Sequence, residues 1–180
     1  LSSKICRCFD CRQVLYEESM FDGQKVSKSR IITSVDYSMV SMEAFEIYAA
    51  NHDIHVMDFV LKLDAYSYYM MNLLDYLTGN TDRHWGNWGF LVDNRTNQPV
   101  RLFDLMDLNQ TFLAYDTPDG ANCMTTGNRK MSQREAAVEA VKNIGLNQKD
   151  EIKDEWFKGR EKEREMFWCR FGILKEQWKA

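Results

Sequence analysis

The stretch Asn80-Thr81-Asp82-Arg83-His84-Trp85-Gly86-Asn87-Trp88-Gly89 decides how the rest of the chain is interpreted. It is a polar loop between an apolar segment with helical spacing and a short apolar strand, and it places Asp82 five positions before Asn87. A second acidic stretch, Leu102-Phe103-Asp104-Leu105-Met106-Asp107-Leu108-Asn109-Gln110, follows after the length of one hairpin. Carboxylate and amide oxygens are the ligands that magnesium takes from proteins, so the two stretches together indicate a site for this ion.

The segments before the loop have the patterns of a hairpin and two helices. Residues 13–33 are predicted to form a β-hairpin, because apolar residues flank Asp22-Gly23, a pair that readily adopts a tight turn. Ser41 is predicted to cap a helix that continues to Asn51. A longer helix is predicted from about Val56 to Leu77. Its apolar residues at spacings of three and four are Leu63, Tyr66, Met70, Leu73 and Leu77.

A second hairpin is predicted directly after the loop. Trp88 to Val92 and Pro99 to Met106 have the composition of two short strands joined by a polar turn. This hairpin would bring the two acidic stretches together. If the second strand continued from Val100, Asp104 would lie within its pleat and Asp107 would lie beyond it, free to point into a cleft.

The last third of the chain is predicted to be helical. Ser132 and Glu135 have the spacing of a capping box at the start of an alanine-rich helix that ends at Gly145. Asn147 is predicted to cap a final helical region, and the mixed charges at 149–165 are interpreted as a solvated face. The apolar stripe of that final region consists of Phe167, Phe171, Leu174 and Trp178. The predicted fold class is therefore α+β and mainly helical, with short β-hairpins.

Composition narrows the function classes. The 180 residues are 44% hydrophobic, enough for one domain with a core, and no apolar run is long enough to span a bilayer. The net charge is −4 from 23 basic and 27 acidic residues, which argues against nucleic acid as the main partner. We expect a cytoplasmic protein with no membrane contact. Because residue 1 is leucine, we also expect the chain to be a fragment or a processed form.

The loop resembles the catalytic loop of the HipA-like kinases, bacterial serine/threonine kinases with a fold related to protein kinases and phosphatidylinositol kinases. That family has the pattern Asp-x-His-x-x-Asn, which Asp82, His84 and Asn87 match. The resemblance extends from about Ser29 to Cys123 with decreasing clarity. It implies the C-terminal lobe of a protein-kinase-like fold, with ATP and Mg²⁺ as cofactors and a protein as substrate. A regulatory partner protein is a further possibility that the family suggests.

The resemblance implies a role for each matched residue. Asp82 would be the catalytic aspartate and Asn87 a metal ligand, while His84 and Gly86 would support the loop. Asp107 is preferred as the second metal ligand and Asp104 is the alternative, since Asp107-Leu108-Asn109 resembles the Asp-aromatic-Asn step of such kinases. In that step Asn109 would adopt a left-handed conformation in place of glycine.

The chain also departs from the family. It shows no glycine-rich loop before a strand lysine, so its ATP-binding residues are not identified. We expect residues 1–33 to be a remnant hairpin of the N-terminal lobe or hinge, and residues 34–180 to be the helical lobe that carries the catalytic and metal-binding loops. Such a chain is expected to be inactive alone, although the full-length protein would be a kinase.

Three alternatives remain open. The chain could be a non-catalytic interaction module on a kinase-like scaffold. His52, His55 and His84 could form the zinc site of a hydrolase, although no adjacent glutamate completes the usual pattern. Cys6, Cys8 and Cys11 could supply three thiolates to zinc, with a fourth ligand from elsewhere in the chain. Alternatively, Cys6 and Cys8 could lie on one face of a strand.

Overall fold

The helices and strands of the chain form an α+β fold, as predicted. In the computed structural model, which describes residues 1–113 and 117–179, residues in helices outnumber those in strands. The helices are α1 (Ser2–Arg7), α2 (Met42–Ala50), α3 (Val56–Thr78), α4 (Gln133–Ile144) and α5 (Glu161–Lys179). The strands are β1 (Tyr16–Phe21), β2 (Gln24–Ser29), β3 (Tyr37–Ser41), β4 (Gly89–Asp93) and β5 (Gln98–Leu102).

The first hairpin, β1–β2, has the predicted turn. Asp22 and Gly23 have φ angles of 48° and 74°, the positive values that a two-residue hairpin turn of this type requires. The strands are shorter than the predicted region 13–33, and Ile31 lies outside them with its side chain largely exposed. This two-stranded sheet is separate from the sheet that carries the site.

The segment with Cys6 and Cys8 is helical, so the prediction of a strand was wrong. Ile5, Cys6, Cys8 and Phe9 are all buried in the core, which a helical turn allows and a strand with alternating faces does not. Cys8 lies just past the end of α1, where its N–H still bonds to carbonyls of the helix.

A three-stranded antiparallel sheet and α2 lie beside the polar loop. The strand order is β3-β4-β5, so the second hairpin, β4–β5, pairs through β4 with β3. Ser41 ends β3 and caps α2 as predicted, since its hydroxyl accepts a hydrogen bond from the Ala44 N–H at 3.2 Å. The Phe45 ring packs edge-on against Phe90 of β4, with ring centroids 4.7 Å apart.

The long helix α3 agrees with the predicted range but bends at Asp64. This residue has φ −156° and ψ 64°, and its carboxylate accepts hydrogen bonds from Arg12 and from the Leu102 N–H. Beyond the bend, residues 70–78 are buried on every side, while Tyr66 of the predicted stripe is 37% exposed. The single apolar face expected from spacing therefore does not hold, because α4 and α5 also pack on α3.

The C-terminal helices confirm the predicted start and end of α4, but they differ from the predictions at Asn147 and Trp178. The capping box of Ser132 and Glu135 opens α4, and Gly145 ends it. Asn147 does not cap the final helix: its side chain donates to the Ile144 and Gly145 carbonyls at the end of α4. Phe167, Phe171 and Leu174 are buried in the stripe of α5, whereas Trp178 is 58% exposed.

The charged run at 149–165 is exposed over most of its length, but it also contributes to the core. It contains a 3₁₀ turn at Asp154–Phe157, and Ile152 and Phe157 are buried. Among the described residues, no helix is both long enough and apolar enough to cross a bilayer.

Candidate functional site

The polar loop begins where α3 ends in a left-handed glycine. Gly79 has φ 60° and ψ 40°, and its N–H is directed at the carbonyls of Asp75 and Tyr76. A Cβ at this position would lie 2.8 Å from Met166 Cε, so both the conformation and the space favour glycine. This turn directs the chain out of the buried end of α3 and into the loop.

The carboxylate of Asp75, one turn earlier in α3, organises the loop from beneath. Its Oδ2 accepts from Arg83 Nε at 2.8 Å, and its Oδ1 accepts from Arg83 Nη2 at 3.0 Å and from Asn80 Nδ2 at 2.9 Å. All three residues are buried. Burial lowers the pKa of Arg83, but the charge and hydrogen bonds of Asp75 outweigh it, so the net pKa is raised and the guanidinium stays charged.

The third nitrogen of Arg83 joins the loop to the second acidic stretch. Nη1 donates to the carbonyl oxygens of Asn87 and Met106, each at 2.8 Å, so these oxygens lie within twice that distance of each other. The Thr81 N–H also bonds to the Gln110 carbonyl at 3.3 Å. The structure therefore brings together the two stretches that the sequence analysis paired.

Asp82 and Asn87 are linked through the loop backbone. Asn87 Nδ2 donates to the Asp82 carbonyl at 2.8 Å, so the amide bonds the loop through its nitrogen, the atom that cannot bind a cation. The Asp82 side chain is 44% exposed, and its Oδ1 lies 3.8 Å from His84 Nε2. A carboxylate at this position can be reached by a group from solvent.

His84 and Gly86 fit tightly to each other. His84 Nδ1 accepts a hydrogen bond from the Gly86 N–H at 3.0 Å, so Nε2, the nitrogen towards Asp82, carries the proton in the neutral ring. A Cβ on Gly86 would lie 2.8 Å from His84 Cε1. The hydrogen bond orients the imidazole, and a side chain at position 86 would displace it from this orientation.

The two candidate metal aspartates have different surroundings. Asp104 pairs with Arg101 through Oδ1 at 2.6 Å, and it lines a cleft of about 20 Å³ together with Asn87 and Arg83. Asp107 adds to the raised pKa of Arg83 and lines a separate cavity of about 490 Å³ beside Tyr16.

The backbone corrects the argument that was used to choose between them. Because β5 ends at Leu102, both Asp104 and Asp107 follow the strand, and the reasoning from its pleat was wrong. The left-handed conformation is at Asp107, with φ 55°, and not at Asn109. The Asp107 N–H donates to the hydroxyl of Tyr16 at 3.2 Å, which holds the turn against β1.

The sequence analysis gave no role to Asp75 or Arg83, although the spacing of polar residues in α3 indicated that Asp75 has a buried partner. Asn72, Asp75 and Thr78 recur every third residue within an otherwise apolar part of α3, and all three are buried. Polar residues on one face of a buried helix must find partners, and such a row indicates what packs there. Here Asn72 accepts from Thr125, and Thr78 bonds to the Leu74 carbonyl of its own helix.

The other metal candidates are not supported by their contacts. His52 bonds to the Tyr48 carbonyl and stacks on that ring, while His55 caps α3. Cys6 and Cys8 are buried in the core, and the Cys8 thiol lies within hydrogen-bond distance of the Lys4 and Glu151 carbonyls. Across residues 1–113 and 117–179, no three side chains of His, Cys, Asp or Glu are grouped so as to hold a metal ion.

The loop donors still suit a magnesium ion that is bound together with phosphate. Such an ion keeps several waters and takes only one or two protein carboxylates in addition to phosphate oxygens. Asn87 with Asp104 or Asp107 offers a set of this kind. Comparison of the chain with family models, with curated proteins and with solved structures gave no match. The functional argument therefore depends on this geometry and on the resemblance of the loop.

Proposed function

We propose that this chain carries the catalytic loop of an ATP- and magnesium-dependent phosphotransferase similar to the HipA-like serine/threonine protein kinases. One observation carries the proposal: the loop of Asp82 and Asn87 lies against the stretch of Asp104 and Asp107, and Arg83 bonds to both. Phosphoryl transfer requires positioned oxygen ligands and a residue that orients the acceptor, and these stretches contain both.

The role proposed for each residue follows from how far its side chain is exposed to solvent. Asp82, which is 44% exposed, would orient the acceptor hydroxyl and take its proton. Asn87 and one of the two later aspartates, which are half-buried, would hold magnesium. When bound, the ion would neutralise charge on the transferring phosphate. An exposed Asp82 suits a hydroxyl presented on a protein surface, so a protein is the proposed substrate.

A non-catalytic interaction module is the second candidate, and the hairpin β1–β2 favours it. Met20 and Phe21 near its turn are 61% and 75% exposed, and apolar side chains this exposed are common at binding surfaces. The described residues before α2 comprise only α1, this hairpin and β3, so they do not form a second lobe over the loop. Binding without catalysis would need only these surfaces.

The proposal is tested in the intact protein by transfer of labelled γ-phosphate from ATP in the presence of Mg²⁺. Asp82→Asn should lower the rate by about 10²- to 10⁴-fold, as expected for loss of a general base. Asp36→Asn is the matched control, because Asp36 is similarly exposed, at 54%, and lies in a different loop. Absence of transfer by the wild type would favour the interaction module, and equal rates for both variants would exclude Asp82 as the catalytic aspartate.

A further inference from the structure

Arg83 lies within the stretch 82–87 that matches the family pattern, but the sequence analysis gave it no role. Within this stretch it is also the one residue that is almost completely buried. Its side chain is 4% exposed, although arginine is rarely buried unless it is paired. Two of its nitrogens bond to Asp75, and the third bonds to backbone carbonyls of both candidate metal-binding stretches. A buried guanidinium must satisfy all of its N–H groups, and Nη1 does so here on carbonyls of two different stretches, which it thereby connects.

We infer that Arg83 is a positioning residue, which sets the distance between Asn87 and the stretch 104–107 so that one magnesium ion can contact both. The inference rests on the proposed function. Each carbonyl bonded by Nη1 belongs to a stretch with a proposed ligand: Asn87 itself, and Met106 between Asp104 and Asp107. A planar guanidinium holds such partners at fixed angles, which a flexible ammonium cannot do.

Asp75 and Asn80 fix Arg83 in turn. The Asp75 carboxylate accepts hydrogen bonds from two nitrogens of Arg83. Asn80 donates to the same carboxylate and so restricts the orientation of the carboxylate. Gln133 at the start of α4 donates to the Asn80 carbonyl and accepts from the Ala121 N–H. The two stretches are thus connected through Arg83 and Asp75 to α3, and Asp75 is connected through Asn80 and Gln133 to α4.

The experiment replaces Arg83 with lysine in the intact protein. Lysine keeps a positive charge beside Asp75 but loses the fork that reaches both carbonyls. Partners of metal ligands typically contribute about 10- to 100-fold to metal affinity, so the Mg²⁺ concentration for half-maximal phosphorylation should rise by that factor. The KM for the protein acceptor should remain unchanged. Calorimetric titration of Mg²⁺ into the ADP-saturated protein should show the same loss of affinity without any turnover.

Arg129→Lys is the matched control. Arg129 also binds a carboxylate, that of Glu139, through two nitrogens at 2.9 and 3.3 Å, but it has no bond to either metal-binding stretch. Asn80→Ala is a second variant, in case Arg83→Lys does not fold, and it should shift the Mg²⁺ dependence in the same direction by a smaller factor. Folding of each variant is checked by circular dichroism.

The outcomes separate this inference from the proposed function. If the wild type transfers phosphate, Asp82→Asn does not, and a folded Arg83→Lys or Asn80→Ala protein has unchanged Mg²⁺ affinity, the positioning role is wrong and the kinase proposal stands. If the wild type neither transfers phosphate nor binds Mg²⁺ with ADP, the proposed function fails, and the inference fails with it.

Discussion

At the residue scale, Asp104 and Asp107 are the two candidates for the second magnesium ligand beside Asn87. The two aspartates line different spaces: Asp104 shares with Asn87 a cleft of about 20 Å³, room for about one water molecule, whereas Asp107 lines the cavity of about 490 Å³ beside Tyr16. The ion pair with Arg101 is a weak obstacle, because a divalent cation attracts a carboxylate more strongly than a partly exposed guanidinium does. The preference for Asp107 in the sequence analysis therefore stays a prediction, with Asp104 as the alternative.

We therefore expect Asp107→Asn to abolish phosphate transfer by the intact protein, and Asp104→Asn to reduce it less. Both substitutions preserve size and remove one charge, so each serves as the control for the other. The rates are compared at several Mg²⁺ concentrations, because a lost metal ligand is partly compensated by more metal. Loss of transfer in Asp104→Asn with normal transfer in Asp107→Asn would instead assign the metal to Asp104.

The sequence analysis selected candidate residues on the more exposed side of the loop, and it missed the buried residues that hold the loop in place. Asp82, His84 and Asn87 were found because their spacing matches a known pattern. Asp75 lies seven residues before Asp82 in an apolar helix, and its bond to Arg83 depends on the turn at Gly79. Such a contact follows from the three-dimensional path of the chain and not from local spacing.

At the scale of secondary-structure elements, the capping box of α4 is a contact whose worth can be measured. The Ser132 hydroxyl accepts from the Glu135 N–H at 3.2 Å, and the Glu135 carboxylate accepts from the Ser132 N–H at 2.7 Å. Since α4 packs on α3 and supplies Gln133 to the loop, its first turn matters for the site as well.

Ser132→Ala should lower the free energy of unfolding by about 1 kcal/mol, because one N–H of the first turn loses its acceptor. Urea denaturation of the 180-residue chain measures the change. Ser29→Ala, at an exposed position of β2, is the control and should have little effect. Equal stability of the Ser132→Ala protein and the wild type would show that the cap contributes nothing.

Because Glu135 of the same capping box is ionisable, the stability of the folded protein should depend on its protonation and therefore on pH. The hydrogen bond from the Ser132 N–H lowers the pKa of Glu135 in the folded protein. Its stabilising contribution is therefore present above the ordinary glutamate pKa and is lost as the pH falls through the lower folded value. Glu135→Gln should flatten the loss of stability between about pH 7 and about pH 3. Parallel curves for wild type and Glu135→Gln would contradict this.

Elements with local markers were predictable, and their exact ends and bends were not. Caps and turn pairs such as Ser41, Ser132 and Asp22-Gly23 act within a few residues, so their patterns hold in the fold. The bend at Asp64 depends instead on Arg12 and Leu102, which are distant in sequence. The end of β5 at Leu102 likewise follows from where the next segment meets Arg12 and Val14.

At the scale of the whole molecule, the proposed function would make the described residues one wall of a nucleotide site. The loop, β4–β5 and the stretch 104–112 form a surface that is backed by α3 and α4. The hairpin β1–β2 meets this surface at Tyr16, but its other residues are mostly exposed. ATP bound between two walls loses most of its contact with water, whereas a single wall gives fewer contacts and weaker binding.

We therefore expect the 180-residue chain to bind ATP weakly even with Mg²⁺. Calorimetric titration of the chain with ATP and Mg²⁺ measures this. A low-micromolar dissociation constant for the chain would show that the second wall is dispensable, or that the chain belongs to another functional class.

The central claim, that Asp82 and Asn87 face a metal–nucleotide complex, is tested most directly by replacing Mg²⁺ with paramagnetic Mn²⁺. NMR spectra of the isotope-labelled intact protein are recorded with Mn²⁺-ADP and, as the diamagnetic reference, with Mg²⁺-ADP. Our account predicts that the amide resonances of 82–87 and 104–107 broaden first as Mn²⁺-ADP is added. Broadening confined to other regions, such as the cysteines near α1, or no site-specific broadening at all, would contradict it.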